Sequence, residues 1–204
     1  MNHRAMTYRI RLFAAALAPL VLLACNADST GPAGESPPLA GAAIGGPFTL
    51  ADKAGREVRW QDFQGKYRIV YFGYTFCPDA CPLDVQVMMQ GFAAFERDKP
   101  KLAAQVQPIF ISIDPARDTP AVVGEFAGHF SPRLLGLTGT AAQVDQAAKA
   151  FSAYYAKGKQ TGGGYLMDHS RVAYLMGRKG EPISMLPVDK GPQAVAAELA
   201  KWVN

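Results

Sequence analysis

Tyr67–Pro82 reads YRIVYFGYTFCPDACP, an aromatic and β-branched run that passes without a break into two cysteines, each followed by proline. Its first half, Tyr67 to Tyr74, suits a buried central strand. Directly after the second proline, Leu83 to Arg97 (LDVQVMMQGFAAFER) sets Val85, Met88, Met89, Phe92 and Phe95 at helical spacing. Strand, cysteine turn and helix form the unit around which the rest of the chain is read.

Downstream the alternation continues. Val106 to Ile113 is a second apolar strand, closed by Asp114-Pro115. Thr119-Pro120 then opens a helix with a capping residue followed by proline, reaching Phe130. Leu134 to Leu137 is a short strand and Ala141 to Phe151 a helix. Arg171 to Met176 is a strand with Pro182 to Met185 as its hairpin partner across Arg178-Lys179-Gly180, and a last helix runs from Pro192 to Val203. Upstream, Phe48 to Leu50 and Val58 to Trp60 flank an Asp-Lys-Ala-Gly turn and predict an N-terminal β-hairpin. The expectation is one α/β domain over residues 47–204, a mixed sheet flanked by helices on both faces, with no internal repeat.

The preceding residues read as an address. Met1 to Arg11 is basic and Leu12 to Ala24 (LFAAALAPLVLLA) is uninterruptedly apolar, so residues 1–24 are read as a signal peptide. A spanning helix needs about 20 apolar residues, more than this run supplies. Leu22-Leu23-Ala24-Cys25 resembles a bacterial lipobox, which makes Cys25 the candidate lipidation site; an ordinary cleaved signal is the alternative. Each buried methylene adds about 0.8 kcal/mol, so several acyl chains would anchor the protein firmly. Residues 25–46, rich in Gly, Pro, Ala and Ser, then form a flexible tether. Together these features predict export and a lipid anchor at the periplasmic side of the cell membrane.

Of the 204 residues 49% are hydrophobic and 19% charged, which suits a globular domain with appendages. Three cysteines are too few for a disulfide scaffold. The net charge of +4 includes Arg4, Arg9 and Arg11 of the signal; without them 18 basic face 17 acidic residues. Near neutrality argues against a nucleic-acid partner.

Cys77 and Cys81 lie one helical turn apart, about 6 Å along an axis, within reach of a disulfide or of one shared metal ion. A helix N-terminus lowers a thiol's pKa, so at least one is expected as thiolate near neutral pH. Outside the signal there are two histidines. His129 falls in the last turn of a helix, where a solvated role is expected. His169 lies between a glycine-rich loop and a strand, at a sheet edge where functional side chains are often presented. Two sulfurs and an imidazole suit copper; zinc accepts the same set but prefers a fourth ligand, and a structural disulfide is the competing reading. Asp168-His169-Ser170 spells a hydrolase triad, but neighbours on an extended chain point to opposite faces.

Three strings, GYTFCPDACP (Gly73 to Pro82), SIDPARDTP (Ser112 to Pro120) and YLMDHSRVAYLM (Tyr165 to Met176), resemble the signature blocks of the Sco/SenC family in order and spacing. The resemblance implies a thioredoxin-like fold and a membrane-anchored copper chaperone for the CuA centre of cytochrome c oxidase. It implies Cys77, Cys81 and His169 as ligands to copper, as Cu(I) and/or Cu(II). The CuA-bearing oxidase subunit is the implied partner, with other periplasmic copper chaperones or thiol reductases as further candidates. Asp114 matches a family position proposed to assist copper binding, and is a secondary candidate beside its reading as turn punctuation. Asp79 and Asp168 match positions read as loop-organising. Gly177-Arg178-Lys179-Gly180 departs from the acidic turn of many bacterial relatives, which alters the local surface charge. The competing function is a thiol-disulfide oxidoreductase with Cys77 and Cys81 as its redox-active pair. Three residues between the cysteines, where a thioredoxin motif has two, and the presence of His169 favour the metal reading.

Overall fold

A computed structural model of the chain describes residues 34–160 and 164–204. Residues 1–24, read above as a signal peptide, Cys25 and the first part of the stretch read as a tether, to residue 33, lie outside the described residues. Of the remaining tether, residues 39–45 lie against the domain instead of standing clear of it. The Leu39 N–H donates to the Ile183 carbonyl at 3.0 Å and the Gly45 N–H to that of Ala150 at 2.8 Å. Leu39 and Ile44 pack on the core. Gly45 has φ +99° and lies so close to Met176 that a Cβ would stand 2.6 Å from its Cε. This glycine therefore serves close packing, which composition alone reads as flexibility.

In chain order the elements are β1 (Thr49–Ala51), β2 (Glu57–Arg59), β3 (Tyr67–Gly73), α1 (Ala80–Asp98), α2 (Pro100–Ala103), β4 (Val106–Ser112), α3 (Pro120–Phe130), β5 (Leu135–Leu137), α4 (Ala141–Ala150), β6 (Tyr155–Lys157), β7 (Met167–His169), β8 (Ala173–Met176), β9 (Pro182–Leu186) and α5 (Pro192–Trp202). The five-stranded sheet runs β5-β4-β3-β8-β9. Its β3, β4 and β5 are parallel, while β8 and β9 add antiparallel pairs. The N-terminal hairpin pairs β1 with β2, Leu50 opposite Val58. All seven residues of β3 are buried, as a strand covered on both faces must be.

Alternation along β3 sorts its side chains between two cores. Tyr67, Ile69 and Tyr71 meet Val85, Met88 and Phe92 of α1 and Leu199 and Trp202 of α5. Val70 and Phe72 meet Phe48, Trp60, Val144 of α4 and Phe151. Helices α1 and α5 approach closely at Gly91, where a Cβ would lie 2.6 Å from that of Val195. A second ribbon, β6 with β7, pairs Tyr155 with His169 and lies outside the main sheet; the apolar pattern does not predict it. The chain leaves the carboxyl end of β3 directly into the cysteine turn, the place where open α/β sheets present their sites.

Candidate metal centre

Cys77 lies in the turn after β3 and Cys81 in the first turn of α1, which begins at Ala80. The two cysteines therefore do not share a helical turn, as their spacing suggests, but stand either side of the helix N-terminus. Pro82 is tolerated there because first-turn N–H groups lack intrahelical acceptors. The Cys81 N–H donates to Cys77 Sγ at 3.3 Å. Cys81 Sγ lies 3.1 Å from His169 Nε2, and the donor atoms of Cys77, Cys81 and His169 all fall within 4.8 Å of one another. Gly73 makes room for this, since a Cβ there would stand 3.1 Å from Cys81 Sγ and 3.0 Å from the Tyr71 and Phe110 rings. Both thiols are free.

The imidazole is oriented for ligation. Its Nδ1 lies 2.9 Å from the Ser170 carbonyl oxygen, which can only accept, so Nδ1 carries the proton and the Nε2 lone pair faces the sulfurs. Tyr71 and Tyr74 meet the ring edge-to-face at 6.4 and 5.9 Å. Burial pushes the His169 pKa down, against the opposing Ser170 hydrogen bond and Asp84 charge, so the ring is neutral at neutral pH. Burial also pushes the Cys81 thiol well up. At Cys77 burial works in the same direction, but the N–H groups of Cys81 and Asp79, the Cys81 thiol and the Tyr74 hydroxyl outweigh it and bring its pKa down. Of the two thiols, Cys77 is thus the more acidic. Donors about 2.0–2.3 Å from one ion stand at most about 4.6 Å apart, so this set closes on an ion with small movements. Two soft sulfurs and one neutral imidazole fit copper's preferences, with no fourth protein donor in the cluster, among the described residues, to favour zinc.

Asp114 is buried beside this centre but is not one of its donors. Its carboxylate accepts from the Tyr165 hydroxyl at 2.8 Å and from Arg117 Nε at 2.5 Å. Arg117 lies over the rings of Tyr165, at 3.6 Å, and Phe76, at 4.8 Å, so Asp114 and Arg117 join the segment leading into His169 to the one carrying Cys77. Asp118 accepts from the Thr75 N–H and hydroxyl and from the Ser112 hydroxyl, pinning the cysteine turn to β4. Asp79 takes the N-cap position of α1 without a side-chain capping bond, and Asp168 is exposed opposite Ala156. His129 is exposed on α3, outside the cluster.

Sequence reading passes over Asp84, Arg171 and Tyr71. Asp84 is 3% exposed and accepts from the Tyr71 hydroxyl and from two nitrogens of Arg171. The signal was present, for Asp84 is a carboxylate at an apolar-face position of α1, next to Val85 and three residues after Cys81.

A sheet of this order, with a cysteine turn opening its first long helix and an imidazole delivered beside it, defines a thioredoxin-like domain with a three-donor soft-metal centre. The chain belongs to the SCO1/SenC family, whose profile matches residues 36–204. It is 41% identical over 165 residues to Protein SenC of Rhodobacter capsulatus, covering 81% of this chain and 73% of that protein. The mitochondrial SCO1 homolog of Homo sapiens is 39% identical over 158 residues, 77% of this chain and 52% of that protein. The chain thus spans about half the length of some of its curated relatives. The structure of Bradyrhizobium japonicum ScoI with copper bound superposes with a TM-score of 0.70 at 37% identity, over 78% of this chain and 99% of that one.

Proposed function

We propose that this protein is a membrane-anchored metallochaperone that holds copper between Cys77, Cys81 and His169 and delivers it to, or prepares the thiols of, the CuA centre of cytochrome c oxidase. The observation that carries this reading is the convergence within 4.8 Å of the two sulfurs of the cysteine turn and an imidazole 88 residues further along the chain, its lone pair turned to the sulfurs. The copper-bound relative supports the choice of metal, and the three signature blocks support the oxidase subunit as recipient. Cys81 is fully buried while Cys77 is half-buried and more acidic, so Cys77 is the donor a partner's thiolate reaches first. Transfer proceeds through copper shared between the two proteins' ligands. Phe76 and Leu166, 53% and 56% exposed, flank the ligands in sequence and give the recipient an apolar footing. The protein acts at the periplasmic side of the cell membrane, held by lipid on Cys25, with other periplasmic copper chaperones or thiol reductases supplying copper and reducing equivalents.

The unlike thiols favour one further reading, a thiol-disulfide oxidoreductase. The Cys77 thiolate would attack a partner disulfide, releasing one partner thiolate, and Cys81 would resolve the mixed disulfide, leaving Cys77–Cys81 oxidised and the partner reduced. His169 separates the two. Cells carrying only the His169→Ala protein should assemble CuA poorly at limiting copper and recover in part when copper is added. Full oxidase activity in that strain without added copper would leave the thiol enzyme as the better account.

A further inference from the structure

Cys81 and His169 are 88 residues apart in sequence, and His169 is carried by a ribbon of only three residue pairs outside the main sheet. Two-stranded ribbons are marginal on their own, so the position of the imidazole depends on what ties the ribbon to the domain. Three residues after Cys81 stands Asp84, and two residues after His169 stands Arg171. Arg171 Nε donates to Asp84 Oδ2 at 2.9 Å and Nη2 to Oδ1 at 2.6 Å, a two-pronged pairing of guanidinium with carboxylate. The Tyr71 hydroxyl donates to the same carboxylate at 2.9 Å, while the edge-to-face contact sets the Tyr71 and His169 rings together. The pair therefore joins α1, central strand β3 and the segment between β7 and β8 within a few residues of two metal donors.

Resting on the copper reading above, we infer that Asp84 and Arg171 are positioning residues for the third ligand: their ion pair clamps the His169 segment onto α1 so that Nε2 is held beside Cys81 Sγ. Arginine is required because its planar fork engages both carboxylate oxygens at once, which a lysine cannot do. Neither residue touches the metal; each acts through His169. The Arg171 side chain is 56% exposed, so its replacement leaves no large buried hole.

The test uses the reduced full chain in detergent, loaded with copper, in unaltered form and as Arg171→Met, Arg171→Lys, His169→Ala and the double variant Arg171→Met with His169→Ala. Transfer of Cu(I) to a competing chelator gives the release rate, and the Cu(II) form gives absorption bands. Arg171→Met should release copper about 10–100-fold faster, the range for residues that orient a metal-bound histidine, with bands shifted toward those of His169→Ala. Arg171→Lys should fall between, and the double variant should release no faster than His169→Ala alone. In the metal-free protein, amide exchange should quicken in Met167–His169 but not in α1. Should Arg171→Met fail to fold, Asp84→Asn, which preserves side-chain size, should give the same acceleration and band shift. Unchanged rate and bands in a folded variant would overturn the proposal, as would a further acceleration of equal size on the His169→Ala background. An unaltered chain that retains no copper would overturn the copper reading first and this inference with it, and is recognised before any substitution is made.

Discussion

Cys77 and Cys81 are the same chemical group four residues apart, and their surroundings make them unlike. The Cys77 sulfur receives the Cys81 N–H and remains half-buried, whereas Cys81 is fully buried with its sulfur beside Gly73. A lowered pKa gives a larger thiolate fraction at any given pH, and only the thiolate is nucleophilic. In the reduced metal-free protein near neutral pH, iodoacetamide should therefore modify Cys77 well before Cys81, as read by peptide mass mapping. The rate at Cys77 should level off at lower pH than that of free cysteine, and the rate at Cys81 should still be rising where Cys77 has levelled. Equal labelling at both positions across that range would contradict the asymmetry. The two sulfurs and His169 stand out from the sequence because their residue types are rare in this chain. Asp84 is marked in the sequence only as a carboxylate on the apolar face of its helix and Arg171 not at all, because their partnership appears only when folding joins positions 87 residues apart.

Elements long enough to repeat their period are legible in the amino-acid sequence. Tyr67–Gly73 and Val106–Ser112 are mainly apolar runs, broken only near their starts by Arg68 and Gln107, and Ala80–Asp98 repeats its apolar face over five turns. The β6–β7 ribbon has three residues per strand and no repeat, so nothing local distinguishes it from the glycine-rich sequence between its strands; its register becomes visible only where Tyr155 faces His169. The close approach of α1 and α5 is likewise silent in sequence, since a helical glycine reads only as a weak helix former. Its consequence is testable. Gly91→Ala places a methyl 2.6 Å from the Val195 side chain and 2.7 Å from the Pro192 carbonyl oxygen. Overpacking of this kind costs about 1–3 kcal/mol, which for a domain of this size lowers Tm by roughly 2–12 °C. Scanning calorimetry should show that loss while copper stoichiometry stays unchanged; an unaltered or raised Tm would contradict the packing described.

For the molecule as a whole, the site sits where the central strand hands over to the first long helix, and the chain on the N-terminal side runs back along the domain between Leu39 and Gly45. The anchoring proposal is separable from the copper site. Cys25→Ser should release the protein from membranes or leave it as an unprocessed precursor, and should lack the fatty-acid label that the unaltered chain carries, with copper binding retained. Label persisting in Cys25→Ser would contradict lipidation at that residue. Among the described residues no helix is long and apolar enough to cross a membrane. One measurement bears most directly on the claim that Cys77, Cys81 and His169 form a copper site: the copper retained per chain after the reduced full-length protein is loaded and desalted. One ion per chain is expected for the unaltered protein and for His129→Ala, less for His169→Ala, and none for the Cys77→Ser, Cys81→Ser double variant. Stoichiometric copper in that double variant would contradict the account.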